Sequence, residues 1–215
     1  AEETAQIPFS FSCELKFDGT AICLTYQKGK LTRALTRGDG TIGDDVTENV
    51  KHISNIPQTL QGTDWPEEFE IRGEIYMPWA AFDRLNLERE KDEEQPFANP
   101  RNAASGSLKL IDSSMVANRG LECTLYHMLG EDLPFSTHDE ALNKAVEWGL
   151  PVSDLRKVCK RTKAQKSLHL LSSGLFVYLY PTLNRVVSCK NILAGAVIHT
   201  SSMSTSSRKR IYICN

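Results

Sequence analysis

Alternation of apolar and polar positions is the first regularity along the chain. In "FSCELKFD" (11–18), Cys13, Leu15 and Phe17 fall on one side of an extended segment, and Glu14, Lys16 and Asp18 on the other. "TAICLTYQ" (20–27) repeats the strand pattern, and "QKGK" (27–30) with Gly29 reads as a hairpin-type turn. "KLTRALTRGDG" (30–40) supplies a further strand that ends in a Gly-Asp-Gly loop. "EFEIRGEIYMP" (68–78) alternates again, with Glu70, Arg72 and Glu74 opposite Ile71 and Ile75, and is closed by Pro78. "LECTLYHML" (121–129) reads as another strand.

Helical periods fall between these segments. "DDVTENVKHI" (44–53) carries acids at its start and a Val46, Val50, Ile53 stripe, and Pro57 stops it. "WAAFDRLNLERE" (79–90) places Trp79, Phe82, Leu85 and Leu87 near helical spacing, with the solvated loop "KDEEQ" after it. "NPRNAASGSLKLI" (99–111) reads as a loop leading into a short helix of small residues. "THDEALNKAVEWG" (137–149) is a helix with Thr137 as N-cap and Gly149 after its end. Strands and helices mix without regular βαβ alternation, so the expected class is α+β with antiparallel sheets. From Leu155 onward the periodicity fails. "SLHLLSSGLFVYLY" (167–180) is apolar but ends at Pro181, "SSMSTSSRKR" (201–210) is of low complexity, and no packed element is expected there.

Composition narrows the class without naming it. A chain of 215 residues, 40% hydrophobic and 24% charged, can bury a core as one large or two small domains. No apolar run approaches the roughly 18 residues of a membrane span, and "AEETAQIPFS" lacks the basic and apolar regions of a secretion signal. Six scattered cysteines without a C-x-x-C pair argue for reduced, structural thiols and a cytoplasmic setting. The net charge of −2 hides a split: all 27 acids lie in residues 1–154 with 14 Lys+Arg, whereas 155–215 hold 11 Lys+Arg and no acid. Average usage would give such a stretch roughly seven acids.

The chemistry begins with Lys16. An amine between two carboxylates stays protonated in water, at a pKa near about 10.4, so a nucleophilic lysine here needs burial or a neighbouring base or cation to offset the acids. Gly19 permits a tight turn and close approach to a ligand. Alone, K-x-D-G reads as a salt-bridged surface strand rather than as a catalytic motif. Arg37 beside the acidic loop suits phosphate or ribose oxygens, and Arg101 sits among small residues and exposed amides suited to phosphate. Taken singly, the two arginines read as solvated, and Glu74 as the partner of Arg72.

Together, "ELKFDGTA", "TRGDGTIGDDVTENV", "EIRGE" and "NPRNAASGSLK", continued by "LYHMLG" and "EWGLPVSD", resemble the adenylation domain of NAD-dependent DNA ligases over about residues 12–154. The resemblance implies an antiparallel-sheet nucleotidyltransferase domain of the ATP-grasp-like ligase type over residues 1–154, followed by an irregular tail. It also implies that Lys16 attacks NAD to form lysyl-AMP, with release of nicotinamide mononucleotide. AMP then passes to the 5′-phosphate of a nick in duplex DNA, and the 3′-hydroxyl displaces it, with Mg²⁺ expected. By the same matching Asp18 positions the amine, and Glu14, Arg37 and Glu74 contact NAD. Arg101 and Lys109 lie near nucleotide or DNA phosphate.

The pattern also departs from the family. Position 109 is lysine where the family usually has arginine, which keeps the charge but loses the bidentate fork. The sequence begins just before motif I, so the preceding domain, which in the family recognises nicotinamide mononucleotide, is expected to be lacking. Nothing in 160–215 resembles the expected D-G-[VI]-V-x-K segment, so 155–215 reads as a disordered tail or one translated out of register. Lost neighbours would leave strand edges open. Self-adenylation is therefore expected to be very weak or absent, and nick sealing absent. The alternative is a catalytically dead fragment that binds nucleic acid nonspecifically through its basic tail.

Overall fold

The computed structural model describes residues 10–38, 43–131, 133–160 and 177–181. They group into two compact units, one formed by Phe17–Phe135 with Glu140–Ser153, the other by the chain up to Lys16, Ser136–Asp139 and the segment from Asp154. In chain order the elements are β1 (Ser10–Leu15), β2 (Thr20–Gln27), β3 (Lys30–Thr36), α1 (Thr47–Val50), β4 (Glu68–Tyr76), α2 (Trp79–Lys91) and α3 (Pro100–Leu108). A 3₁₀ turn at Ser113–Arg119, β5 (Glu122–Leu129), α4 (His138–Glu147), β6 (Arg156–Lys160) and β7 (Val177–Pro181) follow. The mixture of helices with two antiparallel sheets is the α+β class expected from the pattern.

The larger unit is built on a four-stranded antiparallel sheet in the order β3-β2-β4-β5. The β2–β3 hairpin closes through Lys28 (φ 50°) and Gly29 (φ 71°), the two left-handed residues of a type I′ turn that matches strand twist. One face of the sheet sends Ile22, Leu24, Phe69, Ile71, Ile75 and Leu125 into the core. Helix α3 lies against β4 and β2, burying Ala103, Ala104, Ser107 and Leu108, and its small residues let the backbones approach. Tyr26 stacks on Phe69 at a centroid distance of 5.6 Å, and Phe69 packs tilted against Trp148 at 5.3 Å. The polar atoms of this stack are satisfied: Tyr26 Oη donates to the Pro57 carbonyl at 2.7 Å and Trp148 Nε1 to Asp64 at 3.0 Å. Burial pushes the Tyr26 phenol well above its ordinary pKa.

Local periodicity and tertiary structure part company at several elements. Val46, Val50 and Ile53 are all buried, yet the helix is only Thr47–Val50. Residues 44–46 are held by β3 instead: Thr36 N–H donates to Asp44 O and Val46 N–H to Ala34 O. The helix expected from "WAAFDRLNLERE" is present as α2, but its inward face is Ala81, Phe82 and Leu85, while Trp79 and Leu87 of the apolar stripe are exposed. Gly149 follows α4 with φ 84°, as its C-terminal pattern suggested.

Both edges of this sheet are covered by the chain itself, contrary to the open edges expected. Leu31 N–H donates to Gln58 O and Leu60 N–H to Gly29 O along β3. On β5, Leu125 N–H donates to Pro151 O at 2.7 Å. The Asn55 side chain imitates a strand there, its Nδ2 donating to Cys123 O at 2.8 Å and its Oδ1 accepting from Cys123 N–H at 3.0 Å. Asn55→Ala strands both buried backbone groups of Cys123 and is expected to lower stability by about 2–3 kcal/mol, read from the urea midpoint. A loss below about 0.5 kcal/mol would show that water replaces the amide.

The smaller unit contains a three-stranded antiparallel sheet in the order β6-β1-β7. Its outer strands come from the region after Leu155 where the sequence pattern predicts no packed element. Both strands pair with β1, and long-range pairing of this kind leaves no mark in local periodicity. Residues 161–176 and 182–215, which hold most of the basic tail, lie outside the described residues.

Candidate functional site

In the larger unit, the K-x-D-G turn is tied to a strand more than 50 residues away. Gly19 N–H donates to Glu74 Oε1 at 3.1 Å, and Glu74 is only 8% exposed. A Cβ on residue 19 would stand 2.0 Å from the Ile75 carbonyl oxygen, so the close approach of the two strands admits only glycine. Glu74 lies opposite Ala21 on β2 and Thr124 on β5. Arg37 N–H donates to the Ala21 carbonyl at 3.3 Å, which puts residues 37, 21, 74 and 124 in one row across the sheet. Arg37 itself is exposed. Beside the turn, the Phe17 ring packs on Tyr76 at 4.9 Å, and Tyr76 Oη donates to Glu122 at 2.7 Å.

Two cations join this end of the sheet. Asn99 caps α3 by accepting from Asn102 N–H, and Pro100 occupies its first turn, which explains a helix beginning at Asn-Pro. Arg101, in that first turn, donates to Asp18 Oδ1 at 2.8 Å. Lys109, just after the same helix, pairs with Asp44 at 2.6 Å and holds the Asp44 carboxyl below the usual carboxylate range. Asp44 N–H in turn donates to Thr36 Oγ1, next to Arg37. The structure thus brings Asp18, Arg101, Arg37 and Glu74 to one end of a single sheet, and gives Lys109 a carboxylate partner.

The smaller unit holds Glu14 and Lys16, and here the alternation of "CELKFD" misleads. β1 ends at Leu15, so Lys16 and Asp18 are not successive members of a strand face. Lys16 is half-buried, on the residue after the strand. Glu14 is 5% exposed, and its Oε1 accepts from Ser12 Oγ at 2.7 Å and from His138 Nε2 at 2.8 Å. His138 was not singled out from the sequence, because nothing local marks a histidine 124 residues from its partner. Beside it, Asp139 accepts from Arg156, the residue opposite Glu14 in the β1–β6 register.

Cys23, half-buried on the outer face of the larger sheet, sits beside Glu70. Burial and that carboxylate push its thiol up to about 11, which keeps it protonated at neutral pH. Among the described residues no three His, Cys, Asp or Glu side chains gather as a metal site, and no helix is long and apolar enough to cross a membrane.

Residues 2–171 match the family model described as the NAD-dependent DNA ligase adenylation domain. The chain belongs to that family. It is 58% identical over 153 residues to a DNA ligase of Parabacteroides distasonis, an alignment covering 71% of this chain and 23% of the relative. DNA ligases of Phocaeicola vulgatus and Bacteroides fragilis are 59% and 57% identical over 152 residues, again covering 71% of this chain and 23% of each relative. This adenylation-domain chain therefore spans about a quarter of the length of the curated relatives it matches. The resemblance carried by "ELKFDGTA", "TRGDGTIGDDVTENV" and "NPRNAASGSLK" is confirmed at the level of the family.

Proposed function

We propose that this chain is the nucleotidyltransferase part of an NAD-dependent DNA ligase, with Lys16 as the acceptor of the adenylyl group. The Lys16 amine, once deprotonated, forms a nitrogen–phosphorus bond to the adenylyl phosphorus of NAD, and the pyrophosphate bond breaks to release nicotinamide mononucleotide. AMP then passes to the 5′-phosphate of a DNA nick, and the adjoining 3′-hydroxyl displaces it. Asp18 positions the amine, Glu14, Arg37 and Glu74 contact the dinucleotide, with Glu74 on a ribose, and Arg101 and Lys109 serve nucleotide or DNA phosphates.

The observation that carries this reading is the bond from Gly19 N–H to Glu74 Oε1, with Arg101 on Asp18. Three motifs separated in sequence meet at one sheet end, where a rigid turn sits beside cations suited to phosphate. The Mg²⁺ implied by phosphoryl chemistry finds no cluster of three protein ligands among the described residues, and no step is assigned to it.

Incubation with adenine-labelled NAD and Mg²⁺, followed by peptide mapping, tests the proposal. Slow labelling confined to Lys16 supports it, with no sealing of a nicked duplex by this chain alone. A second reading is favoured by the 11 Lys+Arg and no acid of residues 155–215, of which we read the part beyond the family match at residue 171 as translated out of register: a catalytically inert chain that binds nucleic acid nonspecifically. Absence of label, with DNA retention that falls steeply with salt, selects that reading instead. Sequencing of the encoding DNA decides the register.

A further inference from the structure

We propose that His138 and Ser12 are positioning residues for Glu14, fixing its carboxylate so that Oε2 accepts a hydrogen bond from the bound dinucleotide. The inference rests on the reading of Glu14 as a dinucleotide contact and goes beyond it by assigning two residues that never touch the ligand.

All three side chains are buried: Ser12 is 0%, Glu14 5% and His138 9% exposed. A buried carboxylate is costly unless donors surround it. An ionised carboxylate only accepts, so both bonds to Oε1 need hydrogens from the other side, one from the Ser12 hydroxyl and one from Nε2 of His138. That requirement fixes the imidazole as the Nε2–H tautomer or the imidazolium. Both bonds fall on the same oxygen, which leaves Oε2 as the acceptor for a ligand N–H or O–H. Ser12 and Glu14 share a face of β1 at a spacing of two, so the strand itself sets one donor. His138 opens α4, and its neighbour Asp139 is held by Arg156, the cross-strand partner of Glu14 on β6. The start of α4 that carries His138 is thus tied to β6 through Asp139, which limits how far the imidazole can move, and Glu14 meets its ligand with little reorganisation. Lys16 lies two residues further along the same chain.

The test is a double-mutant cycle on the intact chain, read as NAD affinity by titration calorimetry, with imidazole ¹⁵N spectra of the unsubstituted protein. Glu14→Gln and His138→Ala are each expected to weaken NAD binding about tenfold, the scale of one hydrogen bond to a charged group. His138→Gln, whose amide can still donate, is expected to stay within about threefold of the parent. His138→Ala added to Glu14→Gln is expected to cost nothing further, because His138 acts only through Glu14. Additive losses overturn the proposal, as does a His138→Ala chain that binds like the parent while Glu14→Gln is weakened. A spectrum showing an Nδ1–H tautomer overturns it even where a variant fails to fold. Undiminished binding by Glu14→Gln, or no NAD binding by the parent, overturns the reading of the site and this proposal together.

Discussion

Replacing Lys16 by alanine is expected to abolish adenylyl transfer to the chain, a fall on the order of 10⁴-fold or more, as when the nucleophile of a covalent mechanism is removed. The argument is chemical rather than steric. A lysyl adenylate needs a nitrogen lone pair on a flexible stem, and alanine offers none. Lys16→Arg keeps the positive charge, but a guanidinium stays protonated at any usable pH and is no nucleophile, so it is expected to be as inert as alanine. Lys16 is half-buried and follows the last residue of β1, so neither substitution removes a core side chain, and the urea midpoint should hold within about 0.5 kcal/mol. Intact mass after NAD exposure separates the outcomes. Adenylylated Lys16→Ala would move the acceptor to another residue and remove the basis for the proposed function.

Gly19→Ala is expected to have the largest effect on stability, a loss of about 2–4 kcal/mol with collapse of any NAD binding. The added methyl would meet the Ile75 carbonyl oxygen at 2.0 Å and its carbonyl carbon at 2.8 Å. Those atoms belong to the backbone of β4, paired on both sides, and cannot swing away as a side-chain tip would. Relief requires β2 and β4 to part at their ends, which breaks the Gly19–Glu74 bond on the way. Gly106→Ala supplies the contrast. Residue 106 is exposed within α3, and its new methyl meets only the Phe97 ring edge, at 3.4 Å, so the higher helix propensity of alanine is expected to add about 0.5–1 kcal/mol. Equal responses to the two changes would show that the strand contact yields.

Much of the fold was legible because several elements follow local rules. The β2 segment and most of β4 alternate, and their inward positions are the buried ones, whereas β5 buries Cys123, Thr124 and Leu125 in succession. Asn99–Pro100 states the start of α3, and Lys28–Gly29 the hairpin turn. Legibility failed where a distant partner outbid a local preference. Residues 44–46 carry helix-start acids but are captured by the edge of β3. Trp79 and Leu87 fit a helical stripe, yet the core reaches only Ala81, Phe82 and Leu85. β6 and β7 have little alternation of their own and exist by pairing with β1.

The candidate site divides along the same line. Lys16, Asp18, Arg37, Glu74, Arg101 and Lys109 could be named from motif order, since residue type and spacing are written in the chain. Their partners could not. That Glu74 receives the Gly19 amide, that Arg101 reaches Asp18, and that His138 and Ser12 share one oxygen of Glu14 are all products of strand register and helix placement. The sequence by itself determined the family and the class of fold, and it named the candidate nucleophile, because each reading depends on which residues occur in which order. Tertiary structure alone decided which carboxylates are buried, what holds them, and where β1 stops. Those outcomes depend on desolvation and on hydrogen bonds between positions that the chain keeps 50 to more than 100 residues apart.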